Sequence, residues 1–432
     1  MRNALRTILN HTGAPLALLC AAVLLAGCAA QKKPQPKPAA FWPPYPDEPR
    51  VQYLVSFAQS SDVAPKKSSL DELIYGKEVQ QVLAVRKPYG LKMFDGKVYV
   101  CDLRNACVTV LDLRKRQTLI LGKTGADTLE TPSDIAISPD GIKYVADTGK
   151  GRIYVFGPDD RQMGSFAPTE MKPAGIAVFQ NELFVCDFKS QRVLVLDRSS
   201  GAITRTIGEP GQKPGQFVRP LGITVDDQGF VYVTDVLKCQ MQKFAHDGKL
   251  VTSFGIISAN AGGFVRPKHI AVDREGQIYV VDAAFQNVQI FDQIGRPLTF
   301  FGSAGNHPGA MYLPAGITVH DGDVDIFAAY IHPAFEAQRL ILVTNQFGDN
   351  KIAVYALGHL KPGKTIQDIA ASQGIVPTGT GDPKTKGAGA ALTQPTAPDD
   401  DTAPAPATVP TTQGVGQRHV TTFTPTQAPT HK

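Results

Sequence analysis

Six times between Pro88 and Tyr355 the chain repeats one pattern: a proline, a short apolar strand, a second strand ending in an acid or amide, and a third apolar strand. The opening prolines are Pro88, Pro132, Pro173, Pro220, Pro267 and Pro314, in steps of 44, 41, 47, 47 and 47 residues. That spacing fits one four-stranded blade of a β-propeller per unit. The first strands read YGLKM, SDIAI, AGIAV, LGITV, KHIAV and AGITV, with the alternation of a half-buried strand.

The second strands end in Asp102, Asp147, Asp187, Asp235 and Asp282, with Asn345 in the sixth place. A carboxylate or amide at a strand end can accept backbone N–H groups of the tight turn that follows. Because every unit carries one, the repeat predicts a packing role and not catalysis. The third strands are VTVLD, RIYVF, RVLVL, MQKF, NVQIF and KIAVY, and an outer strand such as LVTSFG (Leu250 to Gly255) or LTFFG (Leu298 to Gly302) completes the unit.

The succession Pro-x-x-Ile-Ala-Val, Tyr-Val-x-Asp, Arg-Ile-x-Val-Phe resembles the NHL repeat, whose domains are six-bladed β-propellers. The resemblance covers Pro88 to Tyr355; the sixth unit departs from it. It implies an all-β, six-bladed, NHL-like propeller.

A ring must close, since an open sheet edge invites aggregation. The sixth unit has three inner strands by Tyr355 and no outer one. Arg50 to Phe57, RVQYLVSF, has the form of an outer strand but precedes the first unit. It is therefore expected to pair with Lys351 to Tyr355, so that both ends of a domain spanning 50–360 share one blade. Residues 58–87 follow as a polar loop with a short helix, SSLDELIYG, capped by Ser68 or Ser69.

The two ends of the chain read differently. Residues 1–27 combine Arg2 and Arg6, an apolar run from Pro15 to Leu25 too short to span a bilayer, and a small-residue end, which is a secretory signal. Leu25-Ala26-Gly27-Cys28 resembles the lipobox of bacterial lipoproteins; an ordinary secretory signal is the alternative. The resemblance implies cleavage before Cys28, lipid on its sulfur and amine, and a stable membrane anchor. Ala29, in place of the Asp of the inner-membrane retention pattern, points to the outer membrane, on its periplasmic side or at the cell surface. Residues 28–49 form a tether with seven prolines after Gln31, in which Phe41 and Trp42 serve either as an interfacial anchor or as a strap on the domain. From Lys361 to Lys432, Thr, Pro, Ala, Gln and Gly dominate, and disorder is expected over 361–432.

Composition limits the function classes. At 43% apolar residues the chain is not disordered as a whole, and Gly and Pro at 40 and 33 demand many turns. The net charge of +5 falls to +3 without Arg2 and Arg6, which is no nucleic-acid footprint.

Outside the signal and the anchor, four cysteines remain. Cys101 ends a second strand and Cys107 opens the third of the same unit, so a hairpin would set them opposite each other in plausible disulfide geometry. Cys186 and Cys239 read as free and packed. No cysteine is followed by x-x-Cys-His, which excludes covalent c-type haem.

An enzyme of this architecture would gather ligands at the central channel. The position two residues after each repeat proline, expected near one channel mouth, reads Gly90, Asp134, Gly175, Gly222, His269 and Gly316. Only Asp134 and His269 could ligate a metal, and a catalytic zinc usually has three protein ligands. No HExxH or GxSxG occurs, and the Gly-rich run from Gly208 to Phe217 reads as a connector. No cofactor and no reaction are expected; a periplasmic hydrolase or lyase starting from Asp134 and His269 is the rival.

Two features suggest binding. The residues just before the repeat prolines are Lys87, Thr131, Lys172, Arg219, Arg266 and Leu313, and ring symmetry would gather these cations, with Lys268, on one anion-attracting face. Solvated loop cations are the plain alternative. The second feature is Phe327 to Val343, which interrupts the second strand of unit 6 and offers Tyr330, His332, Phe335, Glu336 and Arg339 to a partner, or else caps the closing blade. The Pro-rich spacer with an RVQYLVSF-like strand also resembles propeller lipoproteins expected beside multihaem cytochrome systems. That resemblance implies a membrane-anchored scaffold with an envelope protein partner in an electron-transfer assembly.

Overall fold

The computed structural model describes residues 40–64, 82–124 and 127–372. The signal segment, Cys28, the expected helix at 68–76 and the tail from 373 onward lie outside the described residues.

Each repeat proline opens an inner strand, and each unit is an antiparallel four-stranded sheet. Blade 1 runs from Pro88 to Leu121, blade 2 from Pro132 to Phe166, blade 3 from Pro173 to Ile207, blade 4 from Pro220 to Phe254 and blade 5 from Pro267 to Phe301. The second strands are buried on both faces and the outer strands largely exposed, as in Val231–Asp235 against Leu250–Phe254. Packing is between blades: six buried clusters each straddle two neighbours. One joins Tyr99, Cys101, Val108 and Val110 of blade 1 to Ile135, Val145, Tyr154 and Phe156 of blade 2; another joins blade 6 back to blade 1 through Leu340, Leu342, Leu91 and Val100.

The recurrent acids are backbone clamps. Asp102 accepts the N–H groups of Arg86 and Lys87, which precede the repeat proline, and those of Arg104 and Asn105 in the turn. Asp235 does the same for Val218, Arg219, Leu237 and Lys238, and Asp282 for Val265, Arg266, Ala284 and Phe285. In blade 6 the Asn345 side chain accepts from Tyr312 N–H and donates to the Asn350 carbonyl. Each clamp ties a second strand's end to the connector arriving from the blade before.

Blade 6 is closed as the sequence predicts. Val51–Phe57 pairs antiparallel with Ile352–Leu360, Val51 opposite Leu357, Tyr53 opposite Tyr355 and Phe57 opposite Ile352. The tether adds a fifth strand: Phe41 lies opposite Gln52 and Trp42 opposite Val51. Phe41 packs edge-on against Phe335 and Trp42 against Tyr355, so these two residues are a strap on the domain.

Three expectations are corrected. Cys101 and Cys107 are free. Cys101 stands opposite Val108 and Cys107 opposite Asp102, one position apart, so the pleat sends the two thiols to opposite faces of the sheet. The second strand of blade 6 is not interrupted: it runs unbroken from Phe335 to Asn345, and a 3-10 turn at Val324–Tyr330 precedes it. Disorder does not begin at Lys361, because Ile366–Ser372 is a helix whose Ile369 and Ala370 are buried.

Candidate functional site

The repeat prolines, the clamps and the turns after the second strands share one face, called here the mouth face; the inner strands end on the opposite, far face. Two residues after each proline the chain reaches the axis, and four of six positions are glycine for a steric reason. A Cβ on Gly222 would lie 2.5 Å from the Lys268 carbonyl oxygen and 2.7 Å from the Cα of His269, and one on Gly90 would lie 2.6 Å from the Cα of Asp134. Neighbouring inner strands touch there. Such overpacking costs about 1–3 kcal/mol, so Gly222→Ala is expected to lower unfolding free energy by that amount in urea titration.

The two positions that are not glycine belong to blades 2 and 5, opposite in a ring of six. Their side chains meet: His269 Nδ1 is 3.7 Å from Asp134 Oδ1, and both residues are buried. The other carboxylate oxygen accepts Ile176 N–H at 2.9 Å. Burial raises the Asp134 carboxyl above its usual range, with His269 opposing, and burial lowers the His269 imidazole, with Asp134 opposing. Lys92, half-buried and also lowered by burial, acts on both. Among the described residues no three His, Cys, Asp or Glu side chains converge as a metal-ion set. Cationic Lys92 beside the pair further disfavours a metal cation there.

Above the pair, Tyr89 sets its ring 5.4 Å from that of His269, and Lys268 Nζ lies 5.3 Å from the Tyr89 ring centre. Lys268 is only 8% exposed, and burial together with Arg266 and Lys87 lowers its ammonium to about 8. Arg219 is exposed, its guanidinium stacked 5.2 Å from the ring centre of Phe188. The repeat places Lys87, Arg219, Arg266 and Lys268 on one face, without a carboxylate partner among the described residues. Lys172 is the exception: its ammonium is spent on the carbonyl oxygens of Thr148 and Gly149.

Both faces carry paired cations: on the far face Arg114 with Asp323 at 2.6 Å, Arg198 with Asp140 at 2.6 Å, Lys143 with Asp160 at 2.6 Å and Arg339 with Asp273 at 2.7 Å, and on the mouth face Lys189 with Glu170 at 2.5 Å and Arg152 with Asp127 at 3.0 Å. Around the mouth, Lys87, Arg219, Arg266 and Lys268 have no carboxylate at ion-pair distance among the described residues. Beside them the loops expose apolar side chains that the sequence reading missed: Leu237, Ile256, Ile257, Val265 and Phe347, at 59, 68, 74, 44 and 57%. Leu237 and Phe347 sit in the clamped turns, where a large apolar residue at a polar position was the available signal.

The blade 6 stretch does not form a partner surface as a unit. Phe335 is fully buried under Phe41, and Arg339 is buried on the far face among Asp273, Glu275 and Asp321. His332 packs edge-on to Phe41 and its N–H donates to Gln52 Oε1. Tyr330 and Glu336 remain exposed. The segment caps the closing blade.

No protein-family model matches the chain. Among solved structures, a protein of unknown function from Bacteroides thetaiotaomicron aligns over 71% of this chain and 75% of its own, at 14% identity and a TM-score of 0.50. The chain is a six-bladed β-propeller. Virginiamycin B lyase from Staphylococcus aureus aligns over 63% of this chain and 95% of its own, at 15% identity and a TM-score of 0.45. An auxiliary nutrient binding protein from Bacteroides thetaiotaomicron aligns over 62% of this propeller and 69% of its own chain, at 12% identity and a TM-score of 0.47. Identities this low speak to fold alone.

Proposed function

We propose that this propeller, built of NHL-type repeats, is a lipoprotein anchored through Cys28 to the outer membrane, and that it works by binding and not by catalysis. Its mouth face docks an acidic envelope protein. The observation that carries this reading is uncompensated charge at the mouth: Lys87, Arg219 and Arg266 have no carboxylate at ion-pair distance among the described residues, on the face that exposes Leu237 and Val265. Protein interfaces combine apolar contacts with charge, and unpaired charge accelerates and orients association. A multihaem cytochrome assembly is the partner class that the Pro-rich spacer and closing strand suggest. A hydrolase or lyase would need more than the Asp134–His269 pair.

Co-purification from membranes tests the reading. Changing Lys87, Arg219 and Arg266 together to Glu should abolish recovery of the partner in low salt, while reversing the far-face Arg114 leaves it intact. Unchanged recovery after the triple reversal contradicts the docking face. Release of a haem-containing protein identifies the cytochrome class; a partner without haem refutes that part.

A further inference from the structure

We propose that the channel mouth is itself a binding site for one oxyanion group, a carboxylate or a phosphate, seated on Lys268 with Lys87 and Arg266 beside it and Tyr89 beneath. This goes beyond docking, because it concerns a small anion and stands whether or not a protein covers the rim.

Three observations meet here. The Lys268 side chain is more than nine-tenths buried, its ammonium lies 5.3 Å from the Tyr89 ring centre, and no carboxylate stands at ion-pair distance from it among the described residues. The buried stem thus holds the ammonium at the mouth, where a partly desolvated cation without a counter-charge favours an anion. Second, burial, with the positive charges of Arg266 and Lys87 adding to it, weakens the ammonium's hold on its proton, and an anion would relieve both effects. Third, His269 is buried with Nδ1 turned toward Asp134, and its Nε2 has no hydrogen-bond partner. Buried polar atoms in proteins are nearly always paired, so this orphan, on the ring that packs against the same Tyr89, marks a place where a ligand completes the set. Asp134 limits the ligand: its carboxylate beneath the site repels an anion that descends past His269, which favours a small headgroup held at the mouth.

The test uses the full chain with two probes, inorganic phosphate and N-acetylglutamate amide, against a limiting amine-acylating reagent at pH 8. Lys268 acylation is read by peptide mass spectrometry beside the exposed Lys249 as internal reference. Saturable protection of Lys268 by about tenfold over Lys249, with a shift of the His269 imidazole nitrogen signals, is expected. Calorimetric affinity for the better probe should fall by more than about tenfold in Lys268→Met and stay within about threefold in Lys268→Arg, which keeps the charge. Tighter binding of phosphate assigns a phosphate headgroup, and tighter binding of the glutamate derivative a carboxylate. Absence of saturable protection with both probes, or unchanged affinity in Lys268→Met, overturns the site. Because none of these readouts involves Arg219 or a protein partner, the anion site and the docking face fail separately.

Discussion

A chain lacking residues up to Phe57 is expected to lose the closed ring, giving aggregated protein or a broad, non-cooperative unfolding transition where the intact protein unfolds sharply. The segment removed supplies Phe41, Val51, Leu54 and Phe57, all buried in the seams of blade 6. At about 1.5–3 kcal/mol for each large apolar side chain, their burial is comparable to the whole net stability of a typical domain, about 5–15 kcal/mol. Deletion also leaves Ile352–Leu360 as an unpaired edge. The single change Leu54→Ala should cost about 2–5 kcal/mol and leave the transition cooperative. Urea unfolding followed by far-ultraviolet circular dichroism reads both, and in Leu54→Ala the fluorescence of Trp42, packed against Phe301 and Tyr355 in the latch, reads it as well. A soluble, cooperatively folded truncation would show that the ring does not need its N-terminal strand.

The second large effect concerns the clamps. Asp282 is fully buried and accepts four backbone donors, two from the connector out of blade 4 and two from its own turn. Asp282→Ala leaves these donors without an acceptor, and with water able to reach the turn the loss is on the order of 3–5 kcal/mol. Asp282→Asn should cost less than half as much, since one accepting oxygen remains, as in Asn345, which holds the Tyr312 N–H of the connector into blade 6. Equal losses for the two variants would place the cost in side-chain volume and not in the hydrogen bonds. Neither variant touches the axial pair.

These two effects were legible in the sequence because they depend on period and residue type. A proline every 41 to 47 residues, an acid at each second strand's end and a stray outer strand before the first unit define ring, clamp and latch without coordinates. What escaped depends on register or on the third dimension. Cys101 and Cys107 are one position out of register, and a single step in a hairpin reverses the face. Phe335 and Arg339 looked like a mixed interface because sequence shows polarity, not which side of a lengthened strand meets the strap and which meets Asp273. Lys172 resembles the other rim cations in sequence and differs only in the two carbonyl groups folded over it. The positions of Asp134 and His269 were identified as axial, but their contact follows from their units lying three steps apart in a ring of six.

Docking through the mouth face is the central claim, and site-specific photocrosslinking in intact cells measures it directly. A photoreactive residue at Val265 or Leu237 on the mouth face should yield a discrete protein adduct that diminishes at high salt, and one at Arg114 on the far face should yield none. Adducts from Arg114 alone, or lipid in place of protein at Val265, would contradict it.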